Sequence, residues 1–132
     1  MSKPVPFLTF QPAKGHSAES AMHFYVEKFD DSEVLFIHRR PEGSPGAGTV
    51  MLAEFSIGGA HIRCSDSFVE HEWDFTPATS MWLDCATEEE QQRLFTGLSQ
   101  DGRVLMPLDD YGFGPFGWVD DRFGISWQLA IG

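Results

Sequence analysis

The chain is expected to fold as one α+β domain made of two similar βαβββ halves, residues 5–66 and 77–131, a curved mixed sheet with helices outside and a cleft inside. Three observations lead there. Two helix-start signals, Ser17 and Thr87, stand 70 residues apart. Two hairpin glycines, Gly59 and Gly124, repeat at 65. No linker or low-complexity tract separates the halves, which marks an internal duplication within one packed unit.

In the first half, Val5 to Gln11 reads as a strand, with Pro6 near its start where a missing N–H does least harm. Ser17 is placed to cap a helix running to about Phe29, with Ala21, Phe24, Tyr25 and Phe29 at helical spacing on one face. Glu33 to Arg39 is a second strand, and the Gly- and Pro-rich stretch from Pro41 to Gly48 is a loop. Thr49–Ile57 and Ala60–Ser65 are strands joined at Gly58-Gly59, a tight-hairpin signal. In the second half, a strand from about Thr79 to Cys85 precedes Thr87-Glu88-Glu89-Glu90, a capping box. It opens a helix with Leu94, Phe95 and Leu98 inward, closed by Gly102. Val104–Met106, Gly117–Val119 and Ile125–Ile131 supply the last three strands.

With 132 residues, one core fits without covalent staples, but a catalytic domain plus a separate cofactor domain does not. Twenty acidic against nine basic residues give a net charge of −11. Such a charge repels phosphate backbones and anionic lipid, which excludes nucleic acid and membrane surfaces as expected partners. No apolar run approaches the roughly 18 residues of a membrane helix, and Met1 to Pro6 lacks the apolar stretch of a signal peptide, so a cytoplasmic protein is expected. Cys64 and Cys85 form no Cys-x-x-Cys pair and read as buried thiols.

Gly117-Trp118-Val119-Asp120-Asp121-Arg122-Phe123-Gly124-Ile125-Ser126-Trp127-Gln128 resembles the terminal hairpin of PhnB-like proteins. These carry the family description 3-demethylubiquinone-9 3-methyltransferase and belong to the vicinal-oxygen-chelate superfamily of glyoxalases and bleomycin-resistance proteins. Pro6-Phe7-Leu8-Thr9-Phe10, Phe24-Tyr25 and Ser65-Asp66 are similar too. The resemblance implies a cup-shaped sheet and a homodimer. Metal-dependent members of the superfamily hold a divalent ion with His and Glu side chains, about one from each of four inward strands. The matching positions here are Arg63, Ser80 and Gln128, with Pro6, Phe7 or Leu8 on the first strand. An amide, a guanidinium and a hydroxyl do not form a divalent site, so no metal or other cofactor is expected.

Among the five scattered histidines, His61 stands out because period-2 alternation puts it on the strand face of Arg63, where the pair could hold an anion. Glu70, His71, Glu72 and Asp74 read as a solvated loop. Gly112-Phe113-Gly114-Pro115-Phe116-Gly117 spells the dinucleotide fingerprint but lacks the following helix that the motif needs; it reads as a lid or a dimer contact. An AdoMet-binding transferase would need a larger doubly wound sheet, and no nucleophile–base arrangement is evident.

Ser80, Trp82 and Asp84 share one strand face, as do Ser126 and Gln128. The expected site is therefore a metal-free cleft for a small, partly apolar and anionic metabolite. In it Arg63 and His61 orient the charged group, Ser80 and Gln128 offer polar handles, and Trp82, Trp118 and the Phe113–Phe116 lid cover the apolar part. The alternative is a glyoxalase-type lyase, isomerase or oxygenase using a metal held by His61 with Asp66 or Asp84.

Overall fold

A computed structural model describes residues 1–132. The chain divides into two compact units, Met1–Glu72 and Trp73–Gly132, each holding one βαβββ module and one four-stranded sheet.

The first unit contains β1 (Phe7–Phe10), α1 (Ala18–Lys28), β2 (Ser32–Arg39), β3 (Val50–Ile57) and β4 (Ala60–Asp66), with strand order β1-β4-β3-β2. β1 runs parallel to β4, and the other pairs are antiparallel. Ser17 caps α1, its side chain accepting from the Ser20 N–H at 3.1 Å. Tyr25 on α1 is fully buried and stacks on Phe55 of β3 with ring centroids 5.7 Å apart. Gly58 and Gly59 both hold positive φ, 55° and 82°, as a tight two-residue hairpin requires. Asp66 is buried and accepts from the Ala18 N–H (2.7 Å) and the Val50 N–H (2.9 Å). It thereby ties the start of α1 to the start of β3. β1 is shorter than expected, because Gln11 already leads into a 3₁₀ turn over Pro12–Lys14.

The second unit contains β5 (Ser80–Cys85), α2 (Glu88–Ser99), β6 (Arg103–Asp110), β7 (Pro115–Asp120) and β8 (Ser126–Ile131), ordered β5-β8-β7-β6. Again the first and last strands of the module pair in parallel. Thr87 accepts from the Glu90 N–H as a capping box demands, but the returning Glu90 carboxylate takes the Ala86 N–H, one residue earlier than the standard pattern. Leu94 and Leu98 are buried as expected, and Phe95 is half-buried. The fully buried Gln91 donates to the carbonyls of Pro115 and Leu129, fastening α2 to β7 and β8.

Gly102 does not close α2 through a left-handed conformation; Asp101 takes that conformation, at φ 58°. Gly102 is there for space: a Cβ on it would lie 2.1 Å from the Asp120 carbonyl oxygen. β6 runs four residues beyond the expected Met106, carrying the exposed Pro107 on a sheet edge with register shifts on either side of Met106, where proline is tolerated.

Both cysteines are buried. Burial, with the Asp66 charge, pushes the Cys64 thiol up from an ordinary 9.0 to about 12. Burial, with Glu90 and Asp84, pushes Cys85 up to about 11. Since the thiolate is the reactive form, native protein at pH 8 should resist Ellman's reagent while denatured protein reacts at both thiols; fast native labelling would contradict this. Above pH 9 the unfolded chain releases these protons first, so their contribution to stability falls as pH rises through the two folded values.

Candidate functional site

In each sheet one face packs on the helix and the other is free of it. On β4, Ile62, Cys64 and Asp66 are buried while His61 and Arg63 are exposed. His61 and Arg63 therefore do share the helix-free face, as alternation predicts. Asp66 points the other way and is occupied with backbone N–H groups, so it does not meet His61. Register fixes the rest: Phe7 stands opposite Arg63, Arg63 opposite Glu54, and Glu54 opposite Phe36. Phe7 and Thr9 thus lie on this face, and the buried Phe10 on the other. The Phe36 ring lies tilted against His38, with centroids 4.8 Å apart.

Arg63 and His61 are not a bare cationic pair. The Glu54 carboxylate takes the Arg63 Nε–H at 2.7 Å through Oε1 and lies 2.8 Å from His61 Nδ1 through Oε2. These hydrogen bonds, Arg63 first and His61 second, hold Glu54 below the ordinary carboxylate range.

In the second unit, Ser80, Trp82, Trp118 and Gln128 come together on one helix-free face. Trp82 pairs with Gln128, and Gln128 with Trp118. One step along, Ser80 pairs with Ser126, and Ser126 with Asp120. Ser126 is the hub of the polar part: its hydroxyl lies 2.9 Å from that of Ser80 and accepts the Trp118 Nε1–H at 2.7 Å. The Trp82 ring, 55% exposed, lies 5.9 Å from the Phe116 ring and donates its Nε1–H to Asp84. Phe116 is buried in β7 rather than part of a loop; only Phe113, 66% exposed, projects from the turn, against Phe116. Asp110 accepts from the Gly112 and Gly114 N–H groups, which closes the β6–β7 turn and lowers its own pKa. The glycine motif is followed by β7, not by a helix.

Asp120 completes this face. Its Oδ2 accepts from Arg103 at 2.8 Å, and its Oδ1 is buried with no hydrogen-bond partner. Sequence reasoning did not find Glu54, Ser126 as a hub, or Asp120. Each acquires its neighbours through cross-strand register, which no local pattern encodes.

Within neither unit do three His, Cys, Asp or Glu side chains stand together as a metal cluster. At the positions that the resemblance matches to metal ligands, the helix-free faces carry Phe7, Arg63, Ser80 and Gln128. Those side chains do not fit a divalent ion.

Paired βαβββ modules, each with a mixed four-stranded sheet and a helix on one face, define the vicinal-oxygen-chelate class of fold. The family model described as 3-demethylubiquinone-9 3-methyltransferase matches residues 2–130, and the chain belongs to that family. A PhnB protein from Bacillus cereus bearing the same family name is 45% identical, with a TM-score of 0.91 over 99% of this chain and 100% of that one. Protein PA1353 from Pseudomonas aeruginosa shares the fold at 24% identity and a TM-score of 0.82, covering 99% and 98%. A mutant fosfomycin resistance protein, FosX, from Listeria monocytogenes, in complex with Mn(II) and a dihydroxypropylphosphonic acid, shares the fold at 12% identity. Its TM-score is 0.65, over 100% of this chain and 94% of that one. No curated protein matches the chain.

Proposed function

We propose that the chain is a small-molecule-binding member of its family that works without a divalent ion. Its ligand is a partly apolar metabolite with hydrogen-bonding groups, and it sits on the helix-free face of the second unit. The observation that carries this is Asp120 Oδ1, a buried acceptor without a donor, on the face that bears Ser80, Trp82, Trp118, Ser126 and Gln128. A buried polar atom without a partner costs about 1–3 kcal/mol, and a shift of this face that opened Oδ1 to a ligand N–H or O–H would recover much of that. Trp82 and Phe116 supply apolar walls, and Gln128 an amide with both donor and acceptor.

The family description names a methyl transfer, but the two sheets here are four-stranded and mostly antiparallel, unlike the doubly wound parallel sheet of AdoMet-dependent transferases. Methyl transfer is therefore no part of this reading. A homodimer, which the resemblance implies, and a cytoplasmic location are part of the same reading. No helix is long and apolar enough to cross a membrane.

Native mass spectrometry of protein purified without chelator reads retained ligand, metal and subunit count together. Thermal shift against a metabolite panel then follows binding: a ligand at a hundredfold its Kd stabilises by about 2.7 kcal/mol. We expect a metabolite-dependent rise in Tm that Trp82→Ala and Gln128→Ala each weaken about tenfold in affinity and that chelator leaves unchanged. A Tm that follows divalent metal and not metabolites would overturn the reading and favour a glyoxalase-type enzyme.

A further inference from the structure

The first unit's helix-free face carries a second arrangement, which fixes where His61 holds its proton. Glu54 is acceptor-only when ionised, and its pairing with the Arg63 guanidinium keeps it ionised at neutral pH. The 2.8 Å contact with His61 Nδ1 must then carry a proton on the imidazole side. A neutral imidazole has one N–H, so Nε2 keeps its lone pair. Nε2 has no partner in the structure, and the His61 side chain is 44% exposed. Arg63 engages Glu54 through Nε alone, and its two terminal amino groups are unpaired on a side chain 47% exposed. His61 and Arg63 are alternate residues of one strand, about 7 Å apart along it. Across the sheet the same face carries Phe7, Phe36, His38 and Ser56.

We propose that this face binds a small hydroxycarboxylate: the carboxylate sits on the terminal N–H groups of Arg63, and the ligand hydroxyl donates a hydrogen bond to the lone pair of His61 Nε2. The O–H bond stays intact, and Glu54 keeps that lone pair facing outward by accepting the Nδ1–H. Glu54 is a positioning residue, acting through the tautomer it imposes. Carboxylate–imidazole pairs of this kind set ring orientation and proton location in general-base sites. The ligand class rests on the reading of the helix-free faces as binding surfaces; the tautomer does not.

Long-range ¹⁵N–¹H NMR of the labelled full chain at pH 8 should show His61 as the Nδ1–H tautomer. Glu54→Gln, which removes the charge and retains the shape, should shift His61 towards the Nε2–H form and slow its carbethoxylation by diethyl pyrocarbonate several-fold. His16, His23, His38 and His71 should be unaffected. A wild-type Nε2–H tautomer, or one indifferent to Glu54→Gln, overturns the acceptor role of Nε2. Lactate and propionate, a pair differing by one hydroxyl, then test the ligand class: lactate should move the His61 ring nitrogens and propionate should not, with the lactate response lost in Arg63→Gln. Equal responses, or none, overturn the hydroxycarboxylate assignment. A failed metabolite screen on the second unit's face would leave these NMR readouts standing, so the two readings fail separately.

Discussion

Gly102→Ala should destabilise the protein by about 3 kcal/mol, the upper end of the usual cost of overpacking. A Cβ at this position would lie 2.1 Å from the Asp120 carbonyl oxygen, 2.9 Å from the Asp121 carbonyl carbon and 3.1 Å from the Asp121 Cα. All three are backbone atoms, and the Asp121 backbone is fixed by the turn bond that its N–H donates to the Ile125 carbonyl. Nothing there can rotate aside, so β7 or the end of α2 must move. Gly117→Ala is the informative comparison. Its Cβ would meet the Phe95 ring at 2.7 Å and a Leu108 methyl at 2.9 Å, which are side-chain ends able to give way, and a loss nearer about 1 kcal/mol is expected. Urea unfolding of both variants tests this; a Gly102→Ala protein as stable as wild type would show that the close approach relaxes freely.

Asp121→Ala should cost about 4 kcal/mol. The carboxylate is buried and satisfies three donors: the Phe123 N–H (2.8 Å), the Ile125 N–H (3.0 Å) and the Trp127 Nε1–H (2.9 Å). Each buried donor left without an acceptor costs about 1–3 kcal/mol, and the turn between β7 and β8 loses its internal frame. Asp121→Asn should fall between: one amide oxygen can still serve two N–H groups, while the amide nitrogen confronts the third donor. The order wild type, Asn, Ala in denaturation midpoint is the expected result. A fall of less than about 1 kcal/mol in Asp121→Ala would mean that the turn is held by its backbone bonds alone.

Most of the fold was legible in the sequence because its signals are local. Ser17 and Thr87 announce their helices through hydrogen bonds that span three residues, and Gly58-Gly59 announces its hairpin through backbone conformation. Alternation along β4 put His61 and Arg63 on one face, and alternation along β5 and β8 grouped Ser80 with Trp82 and Ser126 with Gln128. What escaped depends on partners distant in sequence. Gly102 looked like a helix stop, yet its smallness is demanded by Asp120 and Asp121, strand residues that only folding brings near. The end of β6 was hidden by Pro107, which reads as a breaker until the strand is seen to lie on an edge. Glu54 sits nine residues before Arg63 and is no motif with it, but register makes the two direct neighbours.

The strand order also bears on descent. Each sheet takes all four strands from a single module, and the parallel pairs β1–β4 and β5–β8 join that module's first strand to its last. A tandem copy of such a module arrives with its backbone ladder complete and borrows no strand from its sister. Copying therefore leaves the architecture intact and frees the helix-free faces to diverge. One has become ionic, around Glu54, while the other has become aromatic and hydroxylic, around Trp118 and Ser126: a single inherited frame with two chemistries.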